Sequence, residues 1–323
     1  MSVVTVTPCG AIDLTYRIDD LRRGELIRAE AAVREVSGKG VNVAVALQTG
    51  GMDATAVVVL GADDASLADA SPHAGLLRPV LVPGPTRVST QIVDRDGVTT
   101  KINGPLPPLA ADEWQGIVEA IDDALDDTAA GWLVVGGSLP HVAGGLPDIR
   151  SLIAGATARG ARIALDTSGE PLRRLLAEPS GIALMKPNVH ELSEALGGIP
   201  LRTVGDVVAA ARVVIARGIP LLYVSMGPDG ALVVTADTVV HSLAQAPRLA
   251  STAGAGDASL AGFVLGAGEG EELDLVAACT MAARFGALAV SQEATLITSL
   301  DGLPEAVTTV DPDPARVLVE PAG

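Results

Sequence analysis

The run Ser251-Thr252-Ala253-Gly254-Ala255-Gly256-Asp257-Ala258-Ser259-Leu260-Ala261-Gly262-Phe263 is where residue types and spacing point most directly to chemistry. Two glycines without side chains let backbone N–H groups converge on an anion. The apolar spacing from Ala258 through Leu260, Ala261 and Phe263 predicts that a helix begins there. Gly254, Ala255 and Gly256 therefore read as an anion cradle. Asp257 falls in the first helical turn, where the macrodipole favours its ionised form and its carboxylate can take a proton from an alcohol. A carboxylate beside a phosphate cradle suits phosphoryl transfer to a hydroxyl. The same four residues would also serve as a tight turn with an acidic cap, so their surroundings decide.

Other phosphate motifs do not compete. Gly38-Lys39 runs into Gly40 and not into Ser or Thr, and no Gly-x-Gly-x-x-Gly follows a predicted strand, which disfavours P-loop and dinucleotide folds. Three further clusters carry polar groups at predicted element ends. Ser37-Gly38-Lys39-Gly40-Val41-Asn42 offers backbone N–H groups, an ammonium and an amide near one helix start, or else is a plain capping loop. In Lys186-Pro187-Asn188-Val189-His190-Glu191 the proline fixes the turn and puts Asn188 and Glu191 on one helix face, as a metal-bound water shell or a simple cap requires. Residues 225–230 form a turn in which Gly227 and Gly230 permit close backbone approach, though hairpin glycines would look the same.

These groups need a scaffold, and the pattern supplies one. Residues 3–7 are a β-branched run read as a first core strand, delivering Asp13 just beyond its end. Residues 54–60 and 76–82 read as further core strands. Half-polar segments at 13–18, 25–36, 86–94 and 98–103 read as exposed antiparallel strands, the last two joined at Asp96-Gly97. They predict one small sheet acting as a lid, inserted at 14–36 and 86–103. From residue 112 onwards helices alternate with strands 132–136, 161–166, 182–185 and 221–225, which implies a largely parallel sheet covered on both faces. A meander at 232–243 and two Ala-rich helices at 260–268 and 273–290 follow; the tail after Val310 reads as a weakly held edge. One α/β domain spanning 1–323 is expected.

Composition bounds the function. The chain has 323 residues, 48% of them hydrophobic, ample for one large core. A net charge of −17 repels nucleic acid, and no basic patch offsets it. Two widely separated cysteines and the lack of a leader-like or membrane-spanning run suggest a cytoplasmic protein. Four scattered histidines make a structural metal site improbable.

Taken together, the motifs resemble those of the ribokinase-like (PfkB) carbohydrate kinase family, in its 1-phosphofructokinase and tagatose-6-phosphate kinase branch. The likeness rests on Ile12-Asp13-Leu14-Thr15-Tyr16, Gly38-Lys39-Gly40-Val41-Asn42-Val43-Ala44, Asn103-Gly104-Pro105, Gly137-Ser138-Leu139-Pro140, Lys186-Pro187-Asn188 with Glu191-Leu192, residues 225–231 and the Gly-Ala-Gly-Asp loop. It implies a ribokinase-like α/β sandwich with a small β-lid, ATP and Mg²⁺ as nucleotide and metal, Asp257 as base, and Gly254, Ala255 and Gly256 as anion hole. It further implies sugar contacts from Asp13, Gly38, Lys39, Gly40 and Asn42. Lys186, Asn188, Ser225, Gly227 and Gly230 would face the nucleotide, and Glu191 would hold hydrated Mg²⁺. Arg28, Arg87 and Lys101, with Ser138 as hydroxyl donor, would meet a phosphate already on the acceptor.

On these grounds the acceptor expected first is fructose 1-phosphate, through Ile12 to Tyr16 and Leu165-Asp166-Thr167-Ser168-Gly169-Glu170. Tagatose 6-phosphate and fructose 6-phosphate are the alternatives, and an inactive sugar-phosphate sensor is the alternative of another class. Three departures bear on this. Cys9-Gly10 replaces a usual Asn-Pro, residues 141–145 depart from a usual Pro-Gly, and Ser259 stands where a larger apolar residue is common. The lid's half-apolar outer face predicts a homodimer.

Overall fold

Ser2–Thr7 forms β1, whose β-branched residues leave Val3, Val4 and Val6 wholly buried. The computed structural model describes residues 2–322 except 178–180, 269, 271 and 293. After β1 come β2 (Ala11–Arg17), β3 (Ala31–Ser37), α1 (Lys39–Thr49), β4 (Asp53–Gly61), a short α2 (Ala65–Asp69), β5 (Leu77–Val82), β6 (Arg87–Val93) and β7 (Thr99–Asn103). The alternating part follows with α3 (Ala111–Thr128), β8 (Trp132–Gly136), α4 (Arg150–Ala158), β9 (Arg162–Asp166), α5 (Gly169–Ala177), β10 (Leu184–Met185), α6 (Val189–Ala195), β11 (Leu201–Thr203) and α7 (Val204–Ile215). The last part holds β12 (Leu222–Ser225), β13 (Ala231–Val234), β14 (Val239–Ala244), α8 (Ala255–Ala267), α9 (Leu275–Val290), β15 (Ala306–Val310) and β16 (Val317–Ala322).

Ten strands make the main sheet, in the order β15-β14-β13-β12-β10-β9-β8-β1-β4-β5. From β12 through β5 all neighbours are parallel, while β12 to β15 pair antiparallel as a meander. Strand residues alternate between two cores. Val4, Val6, Leu133 and Val135 pack with α3, α4, α6 and α7, whereas Val3, Trp132, Val134 and Tyr223 pack with α1, α8 and α9. This is the predicted α/β sandwich with helices on both faces, and no described helix is long and apolar enough to cross a membrane. Cys9 and Cys279 are buried free thiols.

The four half-polar segments join in a separate sheet of order β3-β2-β6-β7. The expectation of a wholly antiparallel sheet is corrected. β2 pairs antiparallel with β3 but parallel with β6, because β2 and β6 both depart from the same end of the main sheet. α4 starts at Arg150, since Pro147 disfavours helical backbone before it and the Asp148 carboxylate accepts from the Arg150 N–H.

The tail is the larger correction. β15 closes the main sheet against β14, and β16 pairs with β11. β16 is further tied down where the buried Asp229 carboxylate accepts from the N–H groups of Val319 at 2.7 Å and Glu320 at 3.4 Å.

Candidate active site

The parallel strands β1, β8, β9, β10 and β12 all end on one side, and the polar clusters follow those ends, where open α/β sheets bind ligands. α8 supplies the cradle. Its N-cap, Gly254, has φ 76°, and a Cβ there would lie 2.2 Å from the Thr295 carbonyl oxygen, so glycine is required on two counts. Ala255, Gly256 and Asp257 occupy the first turn, where N–H groups have no helical acceptor. A Cβ on Gly256 would stand 3.3 Å from Lys186 Nζ, so an ammonium faces the same place as these amides.

Asp257 is 7% exposed and accepts from Asn42 Nδ2 at 2.8 Å, which links α8 to α1. Burial above all, with the Asp166 carboxylate next, pushes its pKa up to about 6; Lys39, the Asn42 hydrogen bond and Lys186 pull the other way. A buried carboxylate poised just below neutrality suits a general base.

Lys39 and Lys186, which the sequence assigns to acceptor and nucleotide, meet on a residue it did not assign. Asp166 Oδ1 accepts from Lys39 Nζ at 2.8 Å and Oδ2 from Lys186 Nζ at 2.9 Å. Burial works to raise Asp166, but the two lysines outweigh it and hold the carboxyl below its usual range. Its sequence signals are an acid directly ending an apolar strand, Ile163-Ala164-Leu165-Asp166, and its place in the 165–170 motif, neither of which gave it a role.

Other expected residues divide between site and scaffold. Gly38 has φ 143°, and a Cβ there would strike Thr7; one on Gly40 would strike the Val6 backbone, so both let α1 lie against β1. Asn188 and Glu191 form a capping box: Asn188 Oδ1 accepts from the Glu191 N–H at 2.8 Å, and Glu191 Oε2 from the Asn188 N–H at 2.9 Å. Ser225 lies beside Asn188 through a parallel bridge. Gly227 is exposed, and Gly230 has φ 88° with no room for a Cβ against Ser242.

Of the residues expected to meet the acceptor, Asp13 is half-buried and accepts from Gln91 Nε2 at 3.2 Å; its pKa is raised chiefly by burial, against the pull of Ser37, Lys101, Ser89 and Arg87. Gln91 was not foreseen. Arg87 donates from Nε to the Gly10 carbonyl at 3.4 Å. Lys101 is exposed on β7. Arg28 is exposed on the loop between β2 and β3, and the structure does not bring it against the other site residues. Ser138 lines a cavity of about 270 Å³ with His141, Ser168 and Glu170.

Two of the departures have structural causes. Gly10 packs so closely on the Val59 carbonyl that a Cβ would lie 2.3 Å from it, while Cys9 is buried and its thiol is pushed up to about 11 by that burial. Ser259 Oγ hydrogen-bonds the buried Tyr223 hydroxyl and the Ala282 carbonyl, and a larger residue would leave that phenol unpaired.

Comparison with known proteins identifies the family. Residues 3–301 match the model of the pfkB family carbohydrate kinases. The 1-phosphofructokinase of Xanthomonas campestris is 39% identical over 277 residues, 81% of this chain and 83% of that protein. That of Rhodobacter capsulatus is 36% identical over 293 residues, 89% and 90% of the two. Among solved structures, phosphofructokinase-2 of Escherichia coli in complex with substrates and products superposes with TM-score 0.77 at 28% identity, covering 93% of this chain and 96% of that one. A possible 1-phosphofructokinase of Thermotoga maritima gives 0.78 at 23% identity, covering 96% and 99%, which speaks for the fold.

Proposed function

Because the chain belongs to the pfkB family of carbohydrate kinases, we propose that it transfers the γ-phosphoryl group of ATP to the 6-hydroxyl of fructose 1-phosphate. The single observation that carries the site assignment is Asp257, buried at the first turn of α8 beside a cradle that Lys186 also faces. The 1-phosphofructokinase names of relatives at 36% to 39% identity favour this acceptor over tagatose 6-phosphate or fructose 6-phosphate.

The hydroxyl oxygen attacks the γ-phosphorus and its proton passes to Asp257. The bond from phosphorus to the bridging oxygen breaks, and ADP leaves with that electron pair. Asn42 orients the Asp257 carboxylate, while the first-turn N–H groups of α8 and Lys186 stabilise charge on the transferring group. Asp13, Gly38, Gly40 and Asn42 hold the sugar; Arg87, with Lys101 and Ser138, takes its existing phosphate. Asn188, Ser225, Gly227 and Gly230 border the nucleotide.

Among the described residues no group of three His, Cys, Asp or Glu side chains could cage a metal directly. Glu191 would hold Mg²⁺ through water, with the ion arriving on the nucleotide phosphates and keeping most of its waters. Bound there, Mg²⁺ would neutralise charge on the phosphates.

We also place the small sheet as a lid over the acceptor and as the contact between two copies. Val88 and Ile102 are exposed on its face opposite Asp13, and Val98 is exposed beside it.

A panel of phosphosugars with ATP and Mg²⁺ tests the assignment. Fructose 1-phosphate should be turned over with the highest kcat/KM, and free fructose hardly at all. Free fructose used equally well would overturn it.

A further inference from the structure

Asp166 ends β9 at 1% exposure, and each of its oxygens holds one ammonium group. Those lysines come from opposite sides of the site. Lys39 lies in the first turn of α1, on the loop assigned to the acceptor; Lys186 follows β10, on the nucleotide side, with its Nζ over Gly256. Without the carboxylate between them, the two like charges would repel. The Lys186 side chain is 5% exposed and has nowhere to go, whereas that of Lys39 is 36% exposed and can turn into water.

We propose that Asp166 is a positioning residue for phosphoryl transfer, which locks Lys39 and Lys186 into one unit across the two substrate sides and sets the charge felt by the Asp257 carboxylate. This rests on the reading of Asp257 as base. The groups that act on Asp257 are Lys39 and Asn42 from α1, Asp166 from β9 and Lys186 after β10. Glu191 of α6 acts on Lys39, and the Tyr223 hydroxyl of β12 feels Asp166 from below. Asp166 alone of these adds negative charge next to the base while pinning both positive charges beside it. Its loss therefore has two separable consequences: weaker alignment of both substrates, and a base that ionises more readily.

The test is the pH profile of kcat, with KM for ATP and for fructose 1-phosphate, in Asp166→Asn and Lys39→Met. Asp166→Asn should lower kcat at neutral pH at least tenfold, raise both KM values, and move the acid limb to lower pH. Lys39→Met removes a positive neighbour and should move that limb to higher pH. An acid limb unmoved in Asp166→Asn, with only a lower plateau, would make Asp166 a structural brace and overturn the inference. If Asp166→Asn does not fold, Lys39→Met decides, and an unmoved limb there overturns it. Asp257→Asn separates the two readings. If it is inactive while the other limbs stay put, only the inference falls; if it turns over normally, the base assignment falls and the inference with it.

Discussion

Asn42 donates its side-chain N–H to Asp257 Oδ2 across 2.8 Å, joining two helices whose residues are 215 positions apart, while its own Oδ1 lies buried without a partner. The bond fixes the amide's orientation, because only the nitrogen can donate to a carboxylate. It also leaves an acceptor beside the base.

The base should therefore declare itself in pH. Its pKa is raised to about 6, and only the ionised form takes a proton, so kcat should rise as pH increases through about 6 and level off above. Asp257→Asn should lower turnover by about 10²- to 10⁴-fold with ATP binding retained, by steady-state kinetics and calorimetry.

Stability should move the other way. The folded state holds the Asp257 proton up to a higher pH than the unfolded chain does, so this group's contribution falls as pH rises from the unfolded value to about 6. At neutral pH the buried charge is a cost, and Asp257→Asn should melt at a higher temperature than the parent protein.

Arg87→Ala tests the acceptor's phosphate. A charge-assisted contact is worth about 1.5–3 kcal/mol, so the KM for fructose 1-phosphate should rise about 10- to 100-fold. Turnover should change little, because a distant phosphate is held alike in ground and transition states. A variant kinetically identical to the parent would make Arg87 a surface charge.

Glu191 has a helix cap in the structure and a metal role in the proposal, and Glu191→Gln separates them. Glutamine can keep the capping box with Asn188, so the melting temperature should hold. The Mg²⁺ concentration for half-maximal rate should rise several-fold. An unchanged Mg²⁺ dependence would leave Glu191 as a cap alone.

The lid's outer face predicts a dimer at micromolar concentration by light scattering. Ile102 is 58% exposed on β7, and Ile102→Glu should shift the population towards monomer. A parent protein already monomeric would end the assignment of that face.

Local pattern carried most of this architecture. Trp132–Gly136 is a strand because a five-residue apolar run between two helices has nowhere to go but the sheet. The Gly254–Asp257 turn was readable because a glycine suited to positive φ, followed by an acid at the start of an apolar helix, is a local pattern. What escaped depends on partners distant in sequence. Asp166 looks like any strand-ending acid until Lys39, 127 residues before it, and Lys186 close on it. In the polar, proline-containing tail the short run Val317-Leu318-Val319 did not show how firmly β16 is held, because its anchor is the buried Asp229 carboxylate some 90 positions earlier. Glu191 shows the converse, since its spacing to Asn188 is equally that of a cap.

In the main sheet β1 lies between β4 and β8, with Val3 to Val6 paired on one side to residues 54–57 and on the other to residues 132–135. As the chain leaves the ribosome, β1 can find β4 early, but its other edge stays open until about 80 further residues, including α3, have emerged. A nascent chain paused before Trp132 thus presents an unpaired edge on a valine-rich strand, a natural target for a chaperone or for a neighbouring nascent chain. Closure of the β1 edge is timed by the synthesis of β8, and every strand on the far side of it is added later.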